Sequence, residues 1–162
     1  MAWNTPPSFV TLTTLTAANM VIMTGNDIYL YNGRPVQYVT RNAAYSSTAT
    51  TFTDIDATNL IITATLAGTR ARVLFQIATN CPAVGGSVAV IMDSATYPAN
   101  HNATYGLLPI PASVGVGFAL FTGLTPGSHT FKLQWKAPVA NTISNTGVGA
   151  PFETVYMELE EF

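Results

Sequence analysis

Charged side chains are scarce in this chain of 162 residues. Asp, Glu, Lys and Arg make up 9% of it, and the formal net charge is −2, whereas an average soluble protein contains about 25% charged residues. The six Lys and Arg residues are scattered and form no basic stripe, so the sequence lacks the electrostatic footprint of a nucleic-acid-binding protein. We therefore expect no nucleic acid among its partners.

Cysteine and long apolar runs are also rare. Cys81 is the one cysteine in the sequence, which excludes a disulfide within the chain. No stretch reaches about 18 consecutive apolar residues, so we expect no insertion into a membrane. The first ten residues lack a basic segment followed by an apolar one. The sequence therefore predicts synthesis in a cytoplasm, without export by a secretory signal.

Groups suited to catalysis or metal binding are few. His101 and His129 are the two histidines of the sequence, and neither is spaced with Cys81 in a pattern that nucleophilic catalysis requires. His129 begins a strand on its apolar side, where a core or strand-edge histidine is the better interpretation. Asp54 and Asp56 form an Asp-x-Asp pair, for which loop capping is favoured over calcium binding. We expect no enzyme, no cofactor and no metal site.

Hydrophobic residues and threonine are abundant. Hydrophobic residues make up 48% of the chain, and threonine occurs 24 times. Threonine is β-branched and suits strands. A surface with few charges also costs less to bury against a neighbouring molecule, because few charges must be desolvated. The composition therefore predicts one strand-rich domain and is a hint of assembly.

The clearest strand pattern lies between residues 115 and 136. Apolar residues recur at every second position on both sides of the segment 125–128, whose proline and glycine suit a tight turn. In the second strand, Phe131, Leu133 and Trp135 share one face. The pattern predicts an antiparallel hairpin with one apolar face, which a second sheet must cover.

Similar alternation predicts the other strands. About eight strands at this spacing are typical of an antiparallel β-sandwich. The segments concerned are residues 36–40, 45–56, 59–66, 70–79, 87–93, 105–108 and 152–159.

The first 33 residues differ from the rest of the chain. The prolines at positions 6 and 7 predict an extended arm over residues 1–15, and residues 16–32 form the one predicted helix. The apolar residues of the arm either lie back on their own domain or anchor on another subunit. We thus divide the chain into an attachment arm with a short helix, 1–33, and a head domain, 34–162. The residues assigned to attachment are Trp3, Pro6, Pro7, Phe9, Val10 and Leu12.

Two long loops, 94–113 and 137–150, are candidates for recognition. The first is rich in aromatic and amide side chains, a composition common in recognition surfaces, and loops at the end of a sandwich often carry binding sites. A well-packed surface loop is the alternative interpretation. The candidate recognition residues are Tyr97, Asn100, His101, Asn102 and Tyr105.

Several segments resemble jelly-roll head domains of the C1q and tumour-necrosis-factor-like type. They are TTFTDIDATNLIITATL at 50–66, RVLF at 72–75 and, most specifically, GLTPGSHTFKLQWK at 123–136. The opening WNTPPSFVTLTTLTAANM at 3–20 is similar to the start of small bacteriophage virion proteins, which place an arm and a short helix before such a head. Here, however, the helix is interrupted by glycine and is nearly uncharged.

This resemblance implies a jelly-roll β-sandwich that forms a compact homotrimer. It also implies a virion structural protein on the particle exterior, most directly a capsid decoration protein whose partners are other copies and a major capsid or tail protein. One alternative is a tail- or fibre-tip module that recognises a receptor or glycan of the host surface. A weaker one is a bacterial surface or filament subunit linked by donated strands. Candidates for the trimer face are Gly115, Gly117, Ala119, Phe121, Tyr156 and Phe162.

Overall fold

The computed structural model describes residues 36–79, 86–110, 113–138, 142–145 and 155–162. They belong to one compact unit, Val36–Phe162. Eleven strands and no helix occur among these residues, and accordingly none of them lies in a helix that could cross a membrane.

The attachment arm, the predicted helix and Cys81 lie outside the described residues, as does most of the loop 137–150. The strands are β1 Val36–Arg41, β2 Tyr45–Ser47, β3 Thr53–Asp54, β4 Ile61–Leu66, β5 Arg70–Thr79, β6 Gly86–Met92, β7 Leu108–Ile110, β8 Ser113–Thr122, β9 Gly127–Lys136, β10 Ile143–Asn145 and β11 Val155–Glu161.

Two antiparallel sheets form a sandwich. Sheet 1 has the strand order β1-β11-β5-β8. In sheet 2, β9 pairs on one side with β6, which continues to β7, and on the other side with β3 and β4, which lie end to end along it. Strands β2 and β10 form a separate two-stranded ribbon.

The chain passes repeatedly from one sheet to the other. Sheet 1 receives β1, β5, β8 and β11, and sheet 2 receives the strands between them: β3 and β4, then β6 and β7, then β9. This alternation of antiparallel strands between two packed sheets is the jelly-roll arrangement. The predicted antiparallel jelly-roll β-sandwich is therefore confirmed for the described part of the chain.

Alternate residues of the strands build the core between the sheets. Phe75 on β5 and Phe131 and Trp135 on β9 are buried, as are Val90 on β6 and Met157 on β11. Burial of such apolar side chains is the main favourable contribution to folding. On β9 the predicted face of Phe131, Leu133 and Trp135 is the buried one.

The predicted hairpin is wrong. Strand β8 pairs with β5 in sheet 1, whereas β9 pairs with β3, β4 and β6 in sheet 2, so that residues 123–126 cross between the sheets. Both strands have an apolar face, and crossing lets the two faces meet: the rings of Phe121 and Phe131 pack edge to face at 5.2 Å. Leu124 is buried in the crossing, and its N–H donates to the carbonyl of Thr69 at 2.9 Å.

Candidate assembly surface

Strand β8 turns four of the six residues predicted for the trimer face towards the inside of the sandwich. Ala119 and Phe121 are buried. A Cβ added to Gly117 would lie 2.4 Å from Cζ of Phe75, and one added to Gly115 would lie 2.4 Å from a methyl group of Leu108. These four positions thus share the inner face of the sheet, because successive residues of a strand point to opposite faces. Their assignment to an external face is corrected, whereas the trimer itself stays a prediction.

The opposite face of β8 carries large apolar side chains in solvent. Val114, Val116 and Phe118 are 57%, 58% and 52% exposed. Strand pairing places Phe118 opposite Leu74, and Val116 opposite Gln76, on β5. A contiguous apolar patch of this kind marks an interaction surface, whereas single exposed apolar residues are ordinary.

The same face extends across sheet 1 to its other edge, where Glu158 interrupts the apolar surface. Leu74 lies opposite Glu158 on β11, which lies opposite Tyr38 on β1. Tyr38 is 70% exposed, and its ring stacks on that of Tyr156 at 6.4 Å. Tyr156, which was predicted for the trimer face, is therefore on this outward-facing surface. We call it the outer face of sheet 1; its apolar and aromatic members are Tyr38, Leu74, Val114, Val116, Phe118 and Tyr156, and the polar Gln76 and Glu158 lie among them.

One end of the outer face is charged. The guanidinium of Arg72 on β5 forms an ion pair with Glu160 on β11. The guanidinium of Arg70 lies 4.6 Å from the centre of the Phe162 ring, which places this last candidate residue at the charged end. The outer face thus combines the apolar stripe of β8 with charged groups at one end and with Glu158 near its middle.

The candidate recognition loop bridges the two sheets at one side of the sandwich. The hydroxyl of Tyr97 donates to Oε1 of Gln134 on β9 at 2.9 Å. The Tyr97 ring stacks on His101 at 4.0 Å, and His101 meets the ring of Phe52 at 5.4 Å. The aromatic residues of the loop therefore hold it against sheet 2.

Burial of these rings changes their acidity. Burial, together with the nearby charge of Asp54, raises the pKa of Tyr97. Burial also lowers the pKa of His101, and the charge of Lys136 adds to this effect. Both rings are thus kept neutral near pH 7, as suits side chains that stack.

The amide side chains of the loop bind backbone groups. Asn100 donates from Nδ2 to the carbonyl of Phe118 and accepts at Oδ1 from the N–H of Leu120, both at 2.9 Å. Asn102 accepts from the N–H of Thr104 at 2.8 Å. These contacts favour the interpretation of a well-packed surface loop. Of the five candidate recognition residues, Tyr105 keeps the most outward ring, which is 58% exposed.

Asp56 and Asp54 both form contacts within the fold. Asp56 accepts from the backbone N–H groups of Thr58 and Asn59 at 3.0 and 2.8 Å, which confirms loop capping for Asp56. Asp54 does not cap a loop: it lies on β3 and forms an ion pair with Lys132 at 3.1 Å. The hydroxyl of Tyr45 donates to Asp56 at 2.7 Å, and this bond is the first cause that holds the pKa of Asp56 below its usual range. Among the described residues, no three His, Cys, Asp or Glu side chains are placed to hold a metal ion.

An ion pair that sequence reasoning missed lies at the start of the loop. His129 is buried; its Nδ1 lies 2.7 Å from Oδ2 of Asp93, and its Nε2 lies 2.8 Å from the carbonyl oxygen of Thr125. The interpretation of His129 as a core histidine is confirmed. Asp93 and Ser94 both have positive φ, at 51° and 58°. The contact between His129 and Asp93 therefore also stabilises a turn whose backbone conformation costs energy. No spacing rule joins residues 36 positions apart.

His129 and Asp93 shift each other's pKa. The bond to the Thr125 carbonyl, followed by that to Asp93, raises the pKa of His129 against the effect of burial. Burial by itself would raise the pKa of Asp93, but the bonds from His129 and from the N–H of Thr130 lower it overall. Because both nitrogens of His129 face acceptors, the doubly protonated ring is the form that this site stabilises.

We expect the free energy of unfolding to decrease as pH rises above 6.5, the ordinary pKa of His129. Below that pH the folded state has the full benefit of the charged ring. The benefit is lost as pH rises through the raised pKa of the folded protein. Denaturant unfolding between about pH 5 and pH 9 should show this loss in the wild type and a flatter profile in His129→Gln. Parallel profiles for the two proteins would contradict the assignment.

Fold and surface together define an antiparallel jelly-roll β-sandwich with an exposed apolar sheet face. Comparisons with protein-family models, with curated proteins and with solved structures give no significant match to this chain. A functional interpretation therefore rests on its residues and on the resemblance described above.

Proposed function

We propose that this chain is a structural protein of a bacteriophage particle and assembles as a homotrimer through the outer face of sheet 1. The observation that carries the proposal is the exposure of Val114, Val116 and Phe118, together with Tyr38, on one side of the sheet. Covering apolar surface gains about 25 cal/mol per Å². The charged groups of this face include Arg72 and Glu160, which already form an ion pair with each other, and Glu158, whose desolvation opposes association.

Other copies of the chain are the partner that best fits this face. The face combines the apolar stripe of β8 with charged groups of both signs, Arg72, Glu158 and Glu160. Copies arranged around an axis therefore meet both apolar and oppositely charged groups of their neighbours. The three-fold arrangement follows from the resemblance to C1q and tumour-necrosis-factor-like heads.

The position on the particle exterior follows from the two-part organisation of the chain. Residues 1–33 would attach the trimer to a major capsid or tail protein, and the jelly-roll heads would project outwards. We favour capsid decoration. The alternative, a tail- or fibre-tip module that recognises a host receptor or glycan, is less well supported because Tyr97, Asn100 and His101 are used in contacts within the chain.

Deletion of residues 1–15 should abolish binding to particles and leave the trimer intact, because the arm supplies attachment and the outer face of sheet 1 supplies association. The measurement is cosedimentation of full-length and truncated protein with undecorated particles, followed by electron microscopy. A full-length variant with Trp3→Ser and Phe9→Ser is the matched control for loss of apolar anchors without loss of length.

A truncated trimer that still binds particles would refute attachment by the arm. The location of the full-length protein separates the two functions. Added density over the shell supports decoration, and density confined to the tail supports the receptor-binding alternative.

A further inference from the structure

Strand β8 is an edge strand of sheet 1, since it pairs with β5 on one side and ends the strand order on the other. Backbone groups on the outer side of an edge strand are a template for strand addition by another chain. The backbone N–H and C=O of Leu120 and the C=O of Phe118 point to this side, because their partners belong to the loop and not to β5.

Ala99 and Asn100 of the loop form hydrogen bonds with these backbone groups. The N–H of Ala99 donates to the carbonyl of Leu120 at 2.9 Å. The Asn100 side chain accepts from the N–H of Leu120 and donates to the carbonyl of Phe118, each at 2.9 Å. The loop thus reproduces, with one backbone group and one amide side chain, the bonds that a neighbouring strand would make.

Residues 98–101 do not themselves provide an edge to which a further strand could be added. The N–H of His101 donates back to the carbonyl of Pro98 at 3.0 Å, so the chain turns away from the edge at once, and a proline has no N–H to offer. The rings of Tyr97 and His101, on either side of the turn, stack at 4.0 Å. The hydroxyl of Tyr97 is in turn fixed to Gln134. The turn is therefore held in place from sheet 2.

We propose that residues 98–101 are an edge guard, which blocks strand addition by a second copy of this chain at residues 118–120 of β8. Without the guard, the exposed Phe118 would lie beside unpaired backbone groups of its own strand, a combination that favours open-ended β assembly. At residues 118–120 the guard thus leaves side-chain contacts on the outer face of sheet 1 as the available mode of association. It goes beyond the proposed function, because it concerns the backbone edge and holds whatever the oligomer or the particle is.

The test compares three variants of the full-length chain. Asn100→Ala removes both side-chain bonds; we expect the Leu120 amide to exchange its hydrogen roughly fivefold to tenfold faster and the protein to form assemblies that grow with concentration. Asn100→Asp keeps the acceptor for the Leu120 N–H and places on the edge a charge that itself opposes strand addition. Asn102→Ala removes a cap of the same loop without touching β8.

Amide exchange by NMR and particle size by sedimentation velocity are measured for each variant and for the wild type. We expect Asn100→Ala to form assemblies larger than the wild type and to exchange the Leu120 amide hydrogen faster. The other two variants should keep the wild-type size. An Asn100→Ala protein of wild-type size, equal growth of all three variants, or growth without faster exchange at Leu120 would overturn the guard. The wild-type mass is a separate result: a monomer refutes the trimer but leaves the guard tested by the variants.

Discussion

Replacement of Phe118 by glutamate is expected to convert the proposed trimer into monomers that remain folded. Phe118 is about half exposed in the single chain, so the new carboxylate is solvated in the monomer. In an oligomer built on the outer face of sheet 1, however, it would be buried without a partner, at a cost of about 3–5 kcal/mol. This cost corresponds to about two to four orders of magnitude in the dissociation constant.

Sedimentation equilibrium of wild type and Phe118→Glu measures this change, and circular dichroism shows whether the fold is kept. The matched control is Thr65→Glu, which places the same charge at an exposed position of β4 on sheet 2. It should leave the mass of the oligomer unchanged. A Phe118→Glu protein with the mass of the wild-type oligomer would exclude this face as the interface.

The second large effect is expected at Gly117, where alanine should destabilise the fold itself. Its Cβ would lie 2.4, 3.0 and 3.1 Å from three ring atoms of Phe75. Phe75 is fully buried, so the ring cannot move without disturbing the core, and overpacking of this kind costs about 1–3 kcal/mol. Denaturant unfolding of Gly117→Ala should show this loss whatever the oligomeric state.

Gly115→Ala is the matched control on the same face of the same strand. Its Cβ would meet one terminal methyl group of Leu108 at 2.4 Å, and the next atom of that side chain lies at 3.6 Å. Rotation of the leucine relieves this contact, so we expect stability close to that of the wild type. Equal stability of Gly117→Ala and the wild type would contradict the inward orientation of this face of β8.

The core residues of several strands could be predicted because large apolar residues occupy one face and polar residues the other. On β9, for example, Phe131 and Trp135 alternate with Lys132 and Lys136. Strand β8 offers no such contrast. Its outward Phe118 is as apolar as its inward Phe121, and its small residues face inwards because the large ring of Phe75 fills the space above Gly117. Periodicity alone could not decide which set was buried.

The failure of the predicted hairpin has a similar cause. A proline and a glycine in the segment 123–128 suit a tight turn, but a chain that crosses between sheets needs a turn as well. Only the partners of β8 and β9 distinguish the two cases, and these partners, such as β5 and β4, are remote in sequence.

The candidate site was located in part by composition. The aromatic and amide residues of the loop 94–113 do form a distinct cluster, but Tyr97 and Asn100 contact β9 and β8, and no sequence pattern specifies such contacts. The outer face of sheet 1 was anticipated through Tyr156 alone among its members. Its other exposed residues, such as Tyr38, belong to strands whose neighbours in the sheet could not be derived from the sequence.

The most direct test of the account is the mass of the protein in solution, measured by light scattering for the full chain and for a chain that lacks residues 1–33. We predict three copies in both, which for the full chain is three times 17.2 kDa, because the outer face of sheet 1 lies within the head domain. A monomer in both forms, or a trimer that is lost with the first 33 residues, would contradict assembly through this face.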